Sequence, residues 1–414
     1  MSGHDCGHGA LLSLDDALTS YVHEARVLPT QRMPLVDALH HVLAAPVTAA
    51  VDLPMFTQSA VDGYALRSAD LATAGEASPL RLPVAGEVRA GAVPDAALLA
   101  GQTQRIFTGG RLPVGADTVA RQEIVERDGA HAIFRRALVP GVDVRERGEE
   151  LRAGSVLAQA GQRLHAGLIA ALAMAGVADV SVVRMPRVRV LVTGDEVARD
   201  AVPCEAGVFD ANGPLLRSWF IERGYPPPRI DYVADDRAAL RAAMDDALRD
   251  GDLLLTSGGV SVGDHDLVRP VAAELGVREV FWQVAQKPGK PLYFGVRDRG
   301  DTRALVLGLP GNPGAVLIGL HVHVAAVLAR MQNASDAAPA WRAGRLVDAV
   351  RVDAREQLLR MRARIDDDGR IRLERLGRQE SHMLSNLASA SALVRIPAGK
   401  ALAADAVVQW LALP

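Results

Sequence analysis

Three glycine-bearing motifs each follow a short apolar run: "TGDE" at 193–196, "SGGVSVGDHD" at 257–266 and "LPGNPG" at 309–314. Glycine at such places lets backbone N–H groups approach a ligand closely. Pro313 suits the first turn of a helix whose N-terminus would point at the same place. This is anion-binding chemistry, yet Asp195, Glu196, Asp264 and Asp266 stand in the same loops. Lys287 and Lys290 of "QKPGKP" and Asp210 and Asn212 of "FDANGP" accompany them. Carboxylates beside a phosphate repel it unless a cation intervenes, and Mg²⁺ is held by one or two carboxylates plus substrate oxygens. The loops therefore read as a site for a metal-bridged phosphate or oxyanion, with the lysines as point charges. Thr193, Gly194, Ser257, Gly258, Gly259, Ser261, Gly263, Pro310, Gly311 and Asn312 supply the backbone and hydroxyl groups. Any single acid could instead cap a helix N-terminus, an effect of about 0.3–1 kcal/mol. Four acids at two strand ends favour a site.

Other phosphate motifs are absent. The glycines at 258, 259 and 263 do not make G-x-G-x-x-G, and Asp264 and His265 stand where a Walker A loop needs Lys and Ser/Thr. "GVSVG" (259–263) does match the G-x-S-x-G elbow of serine hydrolases. Ser261 would then be a nucleophile, served by His265, His321, His323 or His382. Set against it, a loop serine bonded to its own turn produces the same short pattern.

The elements that position these loops follow from hydrophobic pattern. From residue 186, apolar runs ("RVRVLVTG", "RIDYVAD", "DLLLTSG", "REVFWQVA", "PLYFG", "ALVLGLP") alternate with helical stretches at 214–223, 237–249, 267–275 and along "PGAVLIGLHVHVAAVLAR". That predicts a three-layer αβα domain over 186–331 with a mostly parallel sheet, ligands lying beyond the strands' carboxyl ends. Residues 47–140 read as a β-rich domain of short strands. Residues 1–46 and 141–185 together form an elongated domain, with two helices expected over 13–45: Ser13 caps the first and Pro34 opens the second. "NASDAAPA" (333–340) is a linker to a small β-barrel-like domain over 340–414.

At 414 residues the chain exceeds one typical core. A net charge of −3 argues against a nucleic-acid binder. Two cysteines, Cys6 and Cys204, give no zinc or disulfide framework and fit a reducing cytoplasm. The first residues lack a signal-peptide pattern, and His4, Cys6 and His8 read as a loose tail rather than a metal site. The run "GLIAALAMAGV" (167–177) is too short to span a bilayer, so no membrane association is expected.

Seven segments occur in order: "MFTQSAVDGYAL", "RIFTGGRLPVGADTV", "RERGEELRAG", "VLVTGDEV", "SGGVSVGDHD", "QKPGKPLYFG" and "LGLPGNP". Together they resemble the molybdopterin molybdenumtransferase family, that of bacterial MoeA and the E domain of gephyrin, from about residue 13 to the end. The resemblance implies four domains and a homodimer whose active site is shared between subunits. It implies an Mg²⁺-dependent reaction that places molybdenum from molybdate on adenylylated molybdopterin and releases AMP. The substrate would come from a molybdopterin adenylyltransferase, and the product would pass to recipient molybdoenzymes. Carried over position by position, Asp62, Thr108, Glu150, Glu196, Asp235, Asp266 and Lys287 match positions tied to activity, and Ser381 matches a serine near molybdate. Glu196, Asp235 and Asp266 are the metal-ligand candidates. Taken alone, Asp62 is a turn residue before Gly63 and Asp235 a helix cap. Three positions depart from the family: Glu150 in place of aspartate, Gln283 in place of a basic residue, and Ser391 in place of a frequent asparagine. Gln283 removes a positive charge near the anions, which an amide cannot replace. A non-catalytic or altered-specificity binding paralogue is therefore the alternative, and a serine hydrolase a distant third.

Overall fold

The computed structural model describes residues 11–198, 207–261, 266–336 and 338–413. They fall into two compact units, one drawn from Met1–Ala45, Ala160–His165 and Ser181–Pro414, the other from Pro46–Gln159 and Ala166–Val180.

The first unit is built on a six-stranded sheet. Its strands are β1 (Val188–Thr193), β2 (Arg229–Val233), β3 (Leu253–Ser257), β4 (Arg278–Trp282), β5 (Tyr293–Arg299) and β6 (Thr302–Leu309), in the order β2-β1-β3-β6-β5-β4. The first four in that order are parallel; β5 runs antiparallel to β6, and the edge strand β4 runs antiparallel to β5. The strands read as unbroken apolar runs because both faces are covered. Val190, Val192, Leu253, Leu255, Leu305 and Leu307 cluster with helices α1 (Leu14–Glu24), α2 (Asn212–Glu222) and α5 (Pro313–Met331). The alternate residues Leu191, Leu254, Ala304 and Val306 cluster with α3 (Arg237–Asp250) and α4 (Val268–Glu274). This is the expected three-layer αβα arrangement. Helix α5 is long and apolar enough to cross a membrane, but 83% of its apolar window is buried here. Its middle turn, Gly319–Val324, is a π-helix carrying His321 and His323.

Expected caps are largely in place. Ser13 Oγ accepts from Asp16 N at 3.1 Å, and Pro313 sits in the first turn of α5. The second N-terminal helix is not formed. Thr30–Pro34 is a strand, followed by a single 3₁₀ turn at Leu35–Asp37, and His40 takes a φ of 66°. Pro34 here closes a strand rather than opening a helix, and a left-handed His40 stops any continuation.

The C-terminal strands close on themselves. Glu356–Ile365 pairs with Ile371–Arg375, which pairs with Arg342–Leu346, then Val407–Ala412, then Ala392–Ile396, which returns to Glu356–Ile365. The result is a closed five-stranded barrel around Leu346, Met361, Leu373, Val394 and Trp410.

The second unit carries a six-stranded sheet in the order Thr118–Arg121, Gly63–Leu66, Thr103–Ile106, Leu80–Val88, His131–Phe134, Val125–Asp128. Residues 141–159 fall in this unit, where their strands form separate two-stranded pairs, rather than with residues 1–45. Val144 pairs with Ser59, Ala60 N donates to Asp143 O, and Val156 pairs with Thr48.

Candidate active site

Beyond the carboxyl ends of β1, β3 and β6, three loops are tied into one surface. Asn212 Nδ2 donates to Ser257 Oγ and to Gly311 O, both at 2.7 Å. Gly258 N donates to Leu309 O, and Val268 N to Gly259 O. Gly258 has a φ of +103°, and a Cβ on it would meet Thr193 Oγ1 at 2.6 Å. The glycine is thus required by both conformation and contact. Asn212 Oδ1 and Thr256 Oγ1 are buried without a partner, an uncommon state for polar atoms.

The acids divide by role. Asp210 is used internally: Oδ1 accepts from Asn212 N and Gly213 N, and Oδ2 accepts from Tyr232 Oη at 2.6 Å. It fastens the start of α2. Asp195 Oδ1 accepts from Asp235 N at 3.1 Å, tying the β1 loop to the β2 loop. The cap of α3 is Asp236, whose Oδ1 accepts from Ala239 N, so Asp235 does not serve as the cap. Asp235 and Glu196 are both exposed. Glu196 lies over Gly194, where a Cβ would meet Glu196 Oε2 at 2.7 Å. A crevice of about 110 Å³ lies between these loops, lined by Gly194, Asp195 and Ala234. Asp266 is half-buried just ahead of α4. Gly263 and the two residues after it, Asp264 and His265, lie outside the described residues, as do Cys6 and Cys204. Among the described residues, no three His, Cys, Asp or Glu side chains are grouped to hold a metal ion. Exposed Glu196 and Asp235 fit an ion held by one or two carboxylates and by substrate oxygens.

A second cleft, of about 580 Å³, has the opposite charge. Lys287, Lys290, Arg355, Arg375, Ser381 and His382 line it, with Glu380. Lys287 Nζ pairs with Asp353 Oδ2 at 2.7 Å, and that contact holds the Asp353 carboxyl below its usual range. Ser381 is held against the start of α5: Asn312 Nδ2 donates to its Oγ at 3.0 Å, and Gly314 N donates to its carbonyl. The Ser381 O–H is left to donate elsewhere. The loop carrying Ser381 is organised by Arg360, which is 1% exposed. Its guanidinium donates to the carbonyls of Arg378, Glu380 and Met383. Burial lowers its pKa. Arg355 and Arg360 were not among the residues singled out from the sequence. A cation placed among the apolar residues of "QLLRM" is the signal that would have found Arg360.

In the second unit, Asp62 and Thr108 form one constellation. Asp62 Oδ1 accepts from Thr108 N at 2.8 Å and from Thr108 Oγ1 at 2.7 Å, and these bonds lower the Asp62 pKa. Ser59 brackets the "TGG" turn, accepting from Gly109 N and donating to Gly110 O. Gly63 admits no side chain, because a Cβ would lie 2.2 Å from Ala120 O. Glu150 is exposed, and its backbone N donates to Leu53 O.

The remaining departures have distinct settings. Gln283 sits at a φ of 73° with its N–H on Leu292 O. Ser391 lies in the barrel, where its Oγ accepts from Ala363 N. No hydrolase triad is assembled among the described residues. His323 has both ring nitrogens engaged, by Tyr21 and Gln286, and His321 Nδ1 meets Arg223.

An αβα domain with an acidic loop crevice, a basic cleft against a barrel, and a separate β-rich unit make up a multidomain protein whose loops and cleft are suited to binding anions. Residues 12–176 match the MoeA N-terminal region (domain I and II), 189–330 the family described as "Probable molybdopterin binding domain", and 343–413 the MoeA C-terminal region (domain IV). The molybdopterin molybdenumtransferase of Nostoc sp. is 33% identical over 90% of this chain and 86% of its own length. That of Bacillus subtilis is 34% identical over 77% of this chain and 74% of its own. The crystal structure of the molybdopterin biosynthesis MoeA protein of Pyrococcus horikoshii OT3 superposes with a TM-score of 0.80. It is 25% identical, covering 97% of this chain and all of that one. The chain belongs to the molybdopterin molybdenumtransferase family, and its activity falls at a late step of molybdenum cofactor biosynthesis.

Proposed function

We propose that the chain takes molybdate and adenylylated molybdopterin as substrates, requires Mg²⁺, and releases AMP as molybdenum is placed on the dithiolene. The observation that carries this reading is the basic cleft, which offers the Ser381 hydroxyl and the Lys290 and Arg355 cations to a tetrahedral dianion. The nucleotide and phosphate end of the other substrate goes to the glycine loops, where Gly258 and Gly311 leave backbone accessible. Glu196 and Asp235, with Asp266, would hold Mg²⁺ there, and the ion would neutralise charge developing on phosphate oxygens. The chain's own part is positioning. Backbone amides and lysines fix the oxyanions, and Thr108 keeps Asp62 ionised and oriented. Catalysis on this reading is charge stabilisation without a covalent enzyme intermediate.

By the same family reasoning the protein acts in the cytoplasm as a homodimer, and Asp62 and Thr108 serve the active site of the partner subunit. The adenylyltransferase product is its substrate, and recipient molybdoenzymes take its product. A monomer by sedimentation at assay concentration would remove the shared-site element. The main test is AMP release from adenylylated molybdopterin with Mg²⁺, with and without molybdate. Molybdate should stimulate release and yield active cofactor. Binding without release in either condition would leave a binding-only relative, the outcome that Gln283 and Glu150 would then have to explain.

A further inference from the structure

Behind the basic cleft, a chain of buried polar side chains runs from α1 through α5 to the "KPGKP" turn. Tyr21 Oη lies 2.9 Å from His323 Nδ1, His323 Nε2 lies 2.9 Å from Gln286 Oε1, and Gln286 Nε2 lies 3.1 Å from Gly289 O. Tyr21 and His323 are fully buried, and Gln286 is 1% exposed. Hydrogen-bond chemistry gives the chain one direction. Gly289 O only accepts, so the Gln286 amide N–H₂ faces it and Oε1 faces the imidazole. Oε1 only accepts, so His323 Nε2 carries the proton. Nδ1 is then the acceptor for the Tyr21 O–H. Burial, which holds the His323 pKa near 3, keeps the ring neutral, and the partners of its two nitrogens select this tautomer.

Each end of the chain is fixed by its surroundings. Tyr21 is clamped by Phe294, edge to face at 4.8 Å, and by Phe281. Gly289 has a φ of +92°, and a Cβ there would meet Gln286 Nε2 at 2.7 Å, so the turn and the amide fit only without a side chain. The Gln286 backbone is also engaged: its carbonyl accepts from Arg355 Nη1 at 3.3 Å, and the residue pairs with Glu356 of the barrel. One residue thus joins the π-turn of α5, the lysine-bearing turn and a cationic residue of the cleft. None of these side chains has access to a substrate, so a role in the chemistry itself is ruled out by burial.

We propose that His323, acting through Gln286, is a positioning residue that holds Lys287, Lys290 and Arg355 in the geometry that receives the tetrahedral oxyanion. The proposal rests on the reading of this cleft as the molybdate site. A fixed cradle lowers the cost of ordering three long cationic side chains at binding. Loosening it should weaken oxyanion binding more than it slows the bound complex.

The test uses the full-length protein and steady-state AMP release with molybdate varied. His323→Leu strands the Tyr21 hydroxyl and Gln286 Oε1, and Gln286→Leu frees the Gly289 carbonyl while His323 stays. Each should raise the KM for molybdate by roughly tenfold, with kcat at saturating molybdate changed by less than about threefold. Tyr21→Phe leaves the His323–Gln286 link intact and should change KM by no more than about twofold. Should His323→Leu fail to fold, Gln286→Leu and Tyr21→Phe carry the comparison. A lowered melting temperature with unchanged KM in Gln286→Leu would overturn the proposal and leave the chain a purely structural one. Lys290→Ala separates the two levels. If it raises the molybdate KM while Gln286→Leu does not, positioning fails and the cleft assignment stands. If Lys290→Ala also leaves KM unchanged, the cleft assignment fails and takes the proposal with it.

Discussion

The loop crevice at the strand ends and the cleft against the barrel both suit anions, by opposite means. At the crevice the fixed groups are backbone amides and the mobile charges are carboxylates, with Glu196 and Asp235 exposed and Asp195 and Asp210 spent on tying loops together. At the cleft the lining is mostly cationic, with Glu380 its one acid among the described residues, and Asp353 beside the cleft already pairs with Lys287. An anion can enter the cleft directly. It can enter the crevice only with a cation that turns the carboxylates from repulsive to attractive. On the proposed function, the contrast would direct the free oxyanion to the cleft and the phosphate with its metal to the crevice.

The largest effect should come from breaking the acidic side. Glu196→Gln and Asp235→Asn keep shape and remove charge. Each should cut AMP release at fixed Mg²⁺ by about 10²–10³-fold, the range for losing a group that stabilises developing charge. Excess Mg²⁺ should recover part of the loss, and the KM for molybdate should stay near its wild-type value. An equal rise in molybdate KM would dissolve the distinction between the two regions. Asp210→Asn is the contrasting control: its carboxylate serves Tyr232 and the start of α2, so its cost should appear in thermal stability.

The comparison also shows what the sequence could and could not reveal. Strands and glycine loops of the αβα domain are legible because continuous apolar runs and glycines encode local requirements, such as the space between Gly258 and Thr193. The helix expected after Pro34 failed because proline is compatible with a strand end as well as a helix start, and only tertiary pairing decides. The roles within "DANGP" and "VADD" were not legible. Whether an aspartate faces a ligand or its own loop depends on a neighbour far along the chain, Tyr232 for Asp210 and Asp195 for the Asp235 amide. Arg355, Arg360 and Asp353 escaped notice for the same reason. Each acts on a loop distant in sequence, and none lies in a glycine motif.

Two buried histidines sharpen the comparison through pH. His321 and His323 have pKa values held near 3 by burial, against 6.5 for an unfolded histidine. For His321, the nearby Arg223 cation adds to the effect. Below pH 6.5 the unfolded chain binds these protons and the folded chain does not, so stability falls as pH falls. The contribution is fully present above pH 6.5 and is lost progressively toward the folded pKa. Each histidine should contribute about 1.4 kcal/mol per pH unit in that window, or about 2 kcal/mol between pH 6.5 and 5. Unfolding midpoints measured across this range in wild type and His323→Leu should differ in slope by one proton. A parallel pair of curves would mean His323 is charged in the folded state.

The smallest effect concerns Asp353, the acid paired with Lys287 beside the basic cleft. The Lys287–Asp353 pair is half-exposed on the lysine side, so its net contribution is about 0–1 kcal/mol. Asp353 also accepts from Arg355 N at 3.0 Å, so it holds two elements of the cleft at once. An oxyanion drawing Lys287 inward must compete with that carboxylate. Asp353→Asn keeps the acceptor for Arg355 N and removes the competing charge. The KM for molybdate should fall, by no more than about fivefold given the size of the pair, and the fall should shrink as salt screens the exposed charges. Crevice variants such as Glu196→Gln should show no such gain, since there the carboxylate is the binding group and not the competitor. A rise in KM for Asp353→Asn would mean that the ion pair orients Lys287 toward the substrate, and the cleft would then resemble the crevice in using a carboxylate to organise the charge beside it.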